Sequence, residues 1–326
     1  MRLLRVACNA ALLALLTCAV IAEDFGYGGR EGPAHWGESF KRCSGKHQSP
    51  INIDALQVVP RRFREFQIHG LERVPRDIKL TNNGHTVLVN MYYNDNMEPH
   101  MSNGPLRSDA VHVFEQFHFH WGINDSMGSE DTINNRAYPA ELHVVIRSME
   151  YTNFSQALGQ DHGIAVFAFF FKITQADNPN YVEFTKKLQF IKRKGESVDL
   201  DTPISLGSFI STDVQHYYSY VGSLTTPPCS EAVVWVDFEK PIEISEFQLQ
   251  FFRQLTASDE HLRNNFRPTQ PLNNRTVFRN IPPEPPKPNE SENAAGQIAR
   301  LGIGGLLGLS LLTALELKGR FLVAFN

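Results

Sequence analysis

Two histidines separated by one residue, His118 and His120, lie in "FEQFHFHWG" (residues 114–122), and a third, His143, follows in "AELHVVI". On an extended strand, side chains at i and i+2 share one face. The two imidazoles therefore point one way, and Phe117, Phe119 and Trp121 point the other. Antiparallel neighbours run about 5 Å apart, so His143 on an adjoining strand can complete a set of three nitrogens. That donor set suits zinc, which takes imidazole nitrogen at about 2.0–2.1 Å in tetrahedral geometry. Three protein ligands leave the fourth position to solvent, where bound water can ionise near neutrality. Gln116 and Glu141 each precede a histidine by two residues and share its face. They are placed to accept the other ring N–H and fix the tautomer. "HFH" alone fits core histidines equally well; the downstream "ELH", with a polar partner beside each ligand strand, favours the metal.

These residues need a rigid frame, and the sequence supplies strands. "IKLTNNGHTVLVNMYY", "VHVFEQFHFHW", "ELHVVIRSM", "IAVFAFFFKI" and "EAVVWVDFEKPI" are runs of β-branched and aromatic residues bounded by Gly, Pro, Asn and Asp. Helical periodicity is weaker and lies mainly in "NPNYVEFTKKLQFIKR" and "SEFQLQFFRQL". The expected architecture is mostly β: one domain over residues 23–280, built on a large central sheet with short peripheral helices. With 42% hydrophobic and 20% charged residues the chain can bury a sizeable core. A net charge of −4 gives no electrostatic reason to expect nucleic acid. Neither an internal repeat nor a phosphate-cradling glycine loop is present in the sequence.

The ends suggest a compartment. Arg2 and Arg5 flank "VACNAALLALLTCAVIA", which ends in small residues at Ala22. Residues 1–22 read as a secretory signal peptide rather than a membrane anchor, being shorter than the ~20 apolar residues a span needs. Cys8 and Cys18 would leave with it. Cys43 and Cys229 would remain, most simply as one disulfide, with two free thiols as the alternative. A bridge closing so long a loop would stabilise the fold by roughly 4–5 kcal/mol. Sequons at Asn124, Asn153, Asn274 and Asn289 fit a glycoprotein of the secretory pathway. A proline-rich linker, residues 281–296, leads to the segment 297–326 and its apolar run 301–317. Small residues Asn293, Ala294, Ala295 and Gly296 precede that run, in the order of a glycolipid (GPI) anchor signal. The alternative is a single transmembrane helix over 301–317 stopped by Lys318 and Arg320. Either places the domain on the extracellular face of the cell membrane.

Further motifs carry a resemblance: "GPAHWG" (32–37), "QSPINI" (48–53), "NNGHT" (82–86), "GSEDT" (128–132), "GSLTTPPCSEAVVW" (222–235) and "FRPTQPLNNR" (266–275), in order around "QFHFHWG" and "AELHVV". The chain resembles the animal-type, alpha-class carbonic anhydrases, and its extracellular membrane-anchored members in particular. The resemblance implies a single domain around a ten-stranded, mainly antiparallel twisted sheet with short peripheral helices. It implies zinc-dependent, reversible hydration of carbon dioxide to bicarbonate and a proton at the cell surface, a contribution to pH regulation and one-carbon metabolism. His118, His120 and His143 would hold zinc, whose hydroxide attacks the substrate. Thr225 would accept that hydroxide's proton in a hydrogen bond and donate its own to Glu130, with Thr226 beside it in the pocket. Val145, Val166, Leu224, Val233 and Trp235 would form the apolar substrate wall. His85 would shuttle protons through waters ordered by Tyr27 and Asn83. The resemblance also pairs Cys43 with Cys229, makes Pro50 and Pro228 cis, and adds sulfonamide-type or anion inhibitors as ligands and bicarbonate transporters as partners.

The chain departs from the family pattern in places. Phe25 replaces a common tryptophan, which should affect N-terminal packing rather than chemistry. Asp131 stands after Glu130 where histidine is common, so a structural hydrogen bond should differ. "YNDNMEPHMSNGPL" alters the rim near His85, and a glycan on Asn124 would crowd the loop after the zinc strand. A non-catalytic relative would lack at least one of the three histidines. A cupin-type His-x-His oxygenase would need a glutamate soon after His120, which "WGINDS" does not offer.

Overall fold

In the computed structural model, residues 24–95, 97–257 and 261–283 are described. The signal segment, nearly all of the linker with Asn289, and the C-terminal anchor or span lie outside them. The strands in chain order are β1 Asn52–Ile53, β2 Val59–Arg61, β3 Arg64–His69, β4 Asp77–Asn82, β5 Val87–Tyr92, β6 His100–Gly104, β7 His112–Trp121, β8 Thr132–Ile133, β9 Ala140–Ser148, β10 Ile164–Thr174, β11 Ser197–Asp199, β12 Tyr217–Ser223, β13 Glu231–Ser245 and β14 Phe278–Asn280.

Twelve of these form one sheet, ordered β11-β4-β5-β7-β9-β10-β13-β12-β14-β2, with β3 and β6 attached at β7; β1 and β8 pair separately. The sheet is mainly antiparallel, as expected, with twelve strands rather than ten and two parallel pairs. β10 runs parallel to β13, and β14 to β2. The first of these pairs has a clear cause. Ile164–Phe171 is buried at every position, and parallel pairing is the habit of strands covered on both faces.

The two faces divide the core. Phe117, Phe119, Trp121, Phe169, Phe184 and Phe252 pack on one side. Val145, Val166, Tyr220, Val233 and Trp235 pack on the other with Ile51 and Ile53. The two segments with helical periodicity form α3, Val182–Lys187, flanked by 3-10 turns, and α4, Glu246–Arg253. Ser245 opens α4 with a capping box, its side chain accepting from Gln248 N while the Gln248 side chain accepts from Ser245 N. Shorter helices α1 (Trp36–Ser39) and α2 (Phe154–Ala157) precede them. No helix among the described residues is long and apolar enough to cross a membrane.

Cys43 and Cys229 form a disulfide, with Cα atoms 4.8 Å apart. The Ser49–Pro50 and Pro227–Pro228 peptides are cis, as the resemblance implied. Asn124, Asn153 and Asn274 are exposed; Asn153 also caps α2, accepting from Gln156 N at 3.0 Å.

Candidate metal centre and active site

The three histidines converge. His118 pairs across the ladder directly with His143, and the rings of His118, His120 and His143 have centroids 4.5–5.3 Å apart. One nitrogen from each lies within 4.8 Å of the others. A shift of register between Phe114 and Gln116 sets this up. One extra residue in β7 changes the phase of the alternation. Phe114 thus joins Phe117 in the aromatic core, while Gln116, His118 and His120 turn to the opposite face.

Each imidazole is held by its second nitrogen. His118 Nδ1 meets Gln116 Oε1 at 2.9 Å, and His143 Nε2 meets Glu141 Oε1 at 2.7 Å, as the spacing suggested. His120 Nδ1 meets the Asn265 carbonyl at 2.8 Å, a partner the sequence reading missed. The nitrogens left over are Nε2 of His118, Nε2 of His120 and Nδ1 of His143. His120 Nε2 is buried with no hydrogen-bond partner, an orphaned lone pair that a metal would satisfy. Burial first, then the neighbouring imidazoles, push His118 and His120 well below the usual histidine range. Burial alone holds His143 at about 3. All three are neutral at physiological pH, the form that binds metal. Three neutral nitrogens in one buried corner fit zinc.

Two buried glutamates frame the cluster. Glu141 accepts from Glu130 N at 2.8 Å, Asp131 N at 3.1 Å and the His143 ring. Burial raises its pKa to about 8 against those donors. Glu130 accepts from Arg267 N at 2.7 Å through Oε1. Burial raises its pKa too, and the Thr225 hydroxyl is close enough to draw it back down. Glu130 Oε2 nevertheless has no partner of ordinary hydrogen-bond geometry. It lies 3.4 Å from His120 Nε2, and the Thr225 hydroxyl is near enough to act on it without closing an ordinary hydrogen bond to that oxygen.

A cavity of about 270 Å³ opens over His118 and His143, lined also by Val145, Val166, Leu224, Thr225, Thr226 and Trp235. Val233 is buried in the same apolar cluster as Val145, Val166 and Trp235. Phe154 and Leu158 also line the cavity; nothing local in their segment marked them. Trp235 packs edge-on against the His143 ring at 4.9 Å.

His85 lies apart from that cavity, in the turn between β4 and β5. The Asn83 side chain accepts from His85 N and Thr86 N, both at 2.9 Å, so its oxygen holds the turn. Phe25 stacks on the His85 ring at 4.0 Å with 11° between planes. The expectation that Phe25 concerns packing alone is therefore corrected, because this ring desolvates the imidazole directly. Burial lowers the His85 pKa, and Asp24, 3.3 Å from Nε2, raises it. Tyr27 meets Phe25 and Trp36 edge-on. Desolvation and then the Glu130 charge push its phenol pKa up, although the residue keeps some exposed surface.

Residues 31–281 match the protein-family model described as eukaryotic-type carbonic anhydrase. The chain is 36% identical over 266 residues to carbonic anhydrase 7 of Homo sapiens, spanning 78% of this chain and 96% of that protein. Carbonic anhydrase 7 of Mus musculus matches with the same identity and coverage. Carbonic anhydrase 3 of Homo sapiens is 35% identical over 266 residues, 79% of this chain and 98% of the relative.

Proposed function

The chain belongs to the eukaryotic-type carbonic anhydrase family, and on that premise we propose that it hydrates carbon dioxide reversibly at a zinc held by His118, His120 and His143. The observation carrying this reading is the trio of neutral, oriented imidazoles, with His120 Nε2 buried and unpartnered. Zinc bound there supplies Lewis acidity and brings the ionisation of water near neutral pH.

The chain's own residues do the rest. Val145, Val166, Leu224 and Trp235 offer a small apolar molecule a dry wall beside the imidazoles. Glu130, as an acceptor, orients the Thr225 hydroxyl, and Thr225 orients the nucleophile in turn. Gln116, Glu141 and the Asn265 carbonyl hold the rings in their metal-binding tautomers. His85, with Asp24 at its outer nitrogen, passes the released proton to solvent. A sulfonamide or small anion would compete in the same cavity.

We place the domain outside the cell, anchored through the segment beyond residue 297. The Cys43–Cys229 bridge and the exposed sequons support an oxidising, glycosylating compartment. Release from cells by a phospholipase that cleaves glycolipid anchors tests the anchor; retention favours a spanning helix.

Stopped-flow carbon dioxide hydration by the purified, disulfide-bonded protein tests the activity. Turnover should vanish with a zinc chelator, return with zinc, and fall with a sulfonamide. No hydration by the zinc-loaded protein would refute the reading.

A further inference from the structure

Three carboxyl groups meet inside the fold beyond the imidazoles. Asp131, Glu141 and Asp237 are each fully buried, and an oxygen from each lies within 4.8 Å of the others. Glu141 is satisfied by two backbone N–H groups and the His143 ring. Asp131 Oδ1 accepts from Ile51 N at 2.8 Å and from the Tyr220 hydroxyl at 3.1 Å. Asp237 differs: neither of its oxygens accepts a hydrogen bond from an N–H or O–H donor. It forms no ion pair among the described residues. Strand alternation puts it on the face of Trp235, between Ala168 of β10 and Tyr218 of β12.

An ionised carboxylate buried without donors costs several kcal/mol, and two adjacent carboxylates cannot both stay charged. We propose that Asp131 and Asp237 share one proton: Asp237 is a neutral acid whose O–H donates to the Asp131 carboxylate, and the bond braces the turn carrying Glu130. Asp131 N–H donates to Glu141, and its carboxylate holds Ile51, so the pair links that turn to β12 and β13. The bracing role rests on the carbonic anhydrase reading; the shared proton does not.

The charges facing the pair are Glu141 from β9, the Tyr220 phenol from β12, Glu130 on the same turn, and Arg275, stacked 5.7 Å over the Tyr220 ring. Burial first, then the Glu141 charge, pushes Asp131 well above the ordinary range; burial, then Asp131 and Glu141, does the same to Asp237. A buried cation is the competing occupant. The donors already on Glu141 and the complete burial of the site count against it.

Infrared spectra of the zinc-loaded full chain decide the matter. The protonated-carboxyl absorbance at neutral pH should contain a component that is lost in Asp237→Asn, whatever Glu130 and Glu141, also raised by burial, contribute beside it. The native pair holds one proton that the unfolded chain has lost above the ordinary carboxylate range, so stability falls as pH rises through the pKa of the folded pair. Thermal unfolding should show a steeper fall in the wild type than in Asp237→Asn, where the raised Glu130 and Glu141 remain. Asp237→Ala should lower kcat/KM about tenfold, within the range for lost outer-shell partners, and Asp237→Asn, which restores a donor to Asp131, should recover it. An absorbance unchanged in Asp237→Asn, equal pH dependence in wild type and Asp237→Asn, or a second metal ion lost on Asp237→Asn would overturn the proposal. The absorbance and the unfolding curves read the proton whether or not the chain hydrates carbon dioxide.

Discussion

The site works through single atoms whose partners are already fixed. Glu141 receives three donors, and only one of them is a zinc-facing ring. Exchanging it for an amide removes an acceptor oxygen and sets an N–H against N–H donors. Glu141→Gln should therefore weaken zinc binding about 10–100-fold, read by competition with a chromophoric chelator; unchanged affinity would show that the backbone alone orients His143. At His85, the Phe25 ring is part of the desolvating surface. Phe25→Ala should raise the His85 pKa toward the free-imidazole value near 6.5, measured by NMR titration of the ring. His85→Ala should slow turnover in weak buffer and respond to added imidazole. The imidazole trio, Gln116 and Glu141 could be read from the sequence because strand period and neighbour spacing determine which face each occupies. Asn265 could not, because it acts on His120 through a backbone carbonyl that any residue type carries.

At the scale of elements, β7 is where simple alternation fails. The extra residue between Phe114 and Gln116 reverses which side faces the core, and no residue type in "FEQF" announces a bulge. Two of the strands missing from the sequence reading, β2 and β3, lie at edges of the sheet. β2 is "VPR" and wholly exposed, and β3 alternates only weakly. Proline, charge and brevity keep such edges from reading as strands and from pairing with other chains. His112 opens β7 fully buried, with Nε2 bonded to the His162 carbonyl at 3.1 Å. Burial is the main cause of its depressed pKa of about 4. The unfolded chain takes up that proton near pH 6.5, so stability is present above that pH and is lost as pH falls toward 4. The loss amounts to about 3 kcal/mol at most. His112→Gln should flatten this acid limb in denaturant titrations at pH 7 and pH 4.5; an unchanged limb would assign it to other groups.

Across the whole molecule, distant segments are tied back to the site. The Cys43–Cys229 bridge spans 186 residues and joins the N-terminal segment to the loop bearing Thr225. Arg267 ties the same N-terminal segment to another part of the chain, donating from its side chain to the Cys43 carbonyl at 2.9 Å and the Ser49 carbonyl at 2.8 Å. Cys43→Ser should lower stability by about 2–5 kcal/mol in equilibrium denaturation, and a smaller loss would mean that the Arg42–Ser230 and Gln48–Cys229 hydrogen bonds across the same join suffice.

The most direct measurement is metal analysis of the purified chain combined with X-ray absorption at the zinc edge. The account predicts about one zinc per chain, bound by three imidazole nitrogens near 2.0 Å and one light atom from solvent. A chain that binds no zinc, or a zinc whose fourth ligand is a protein side chain, would contradict it.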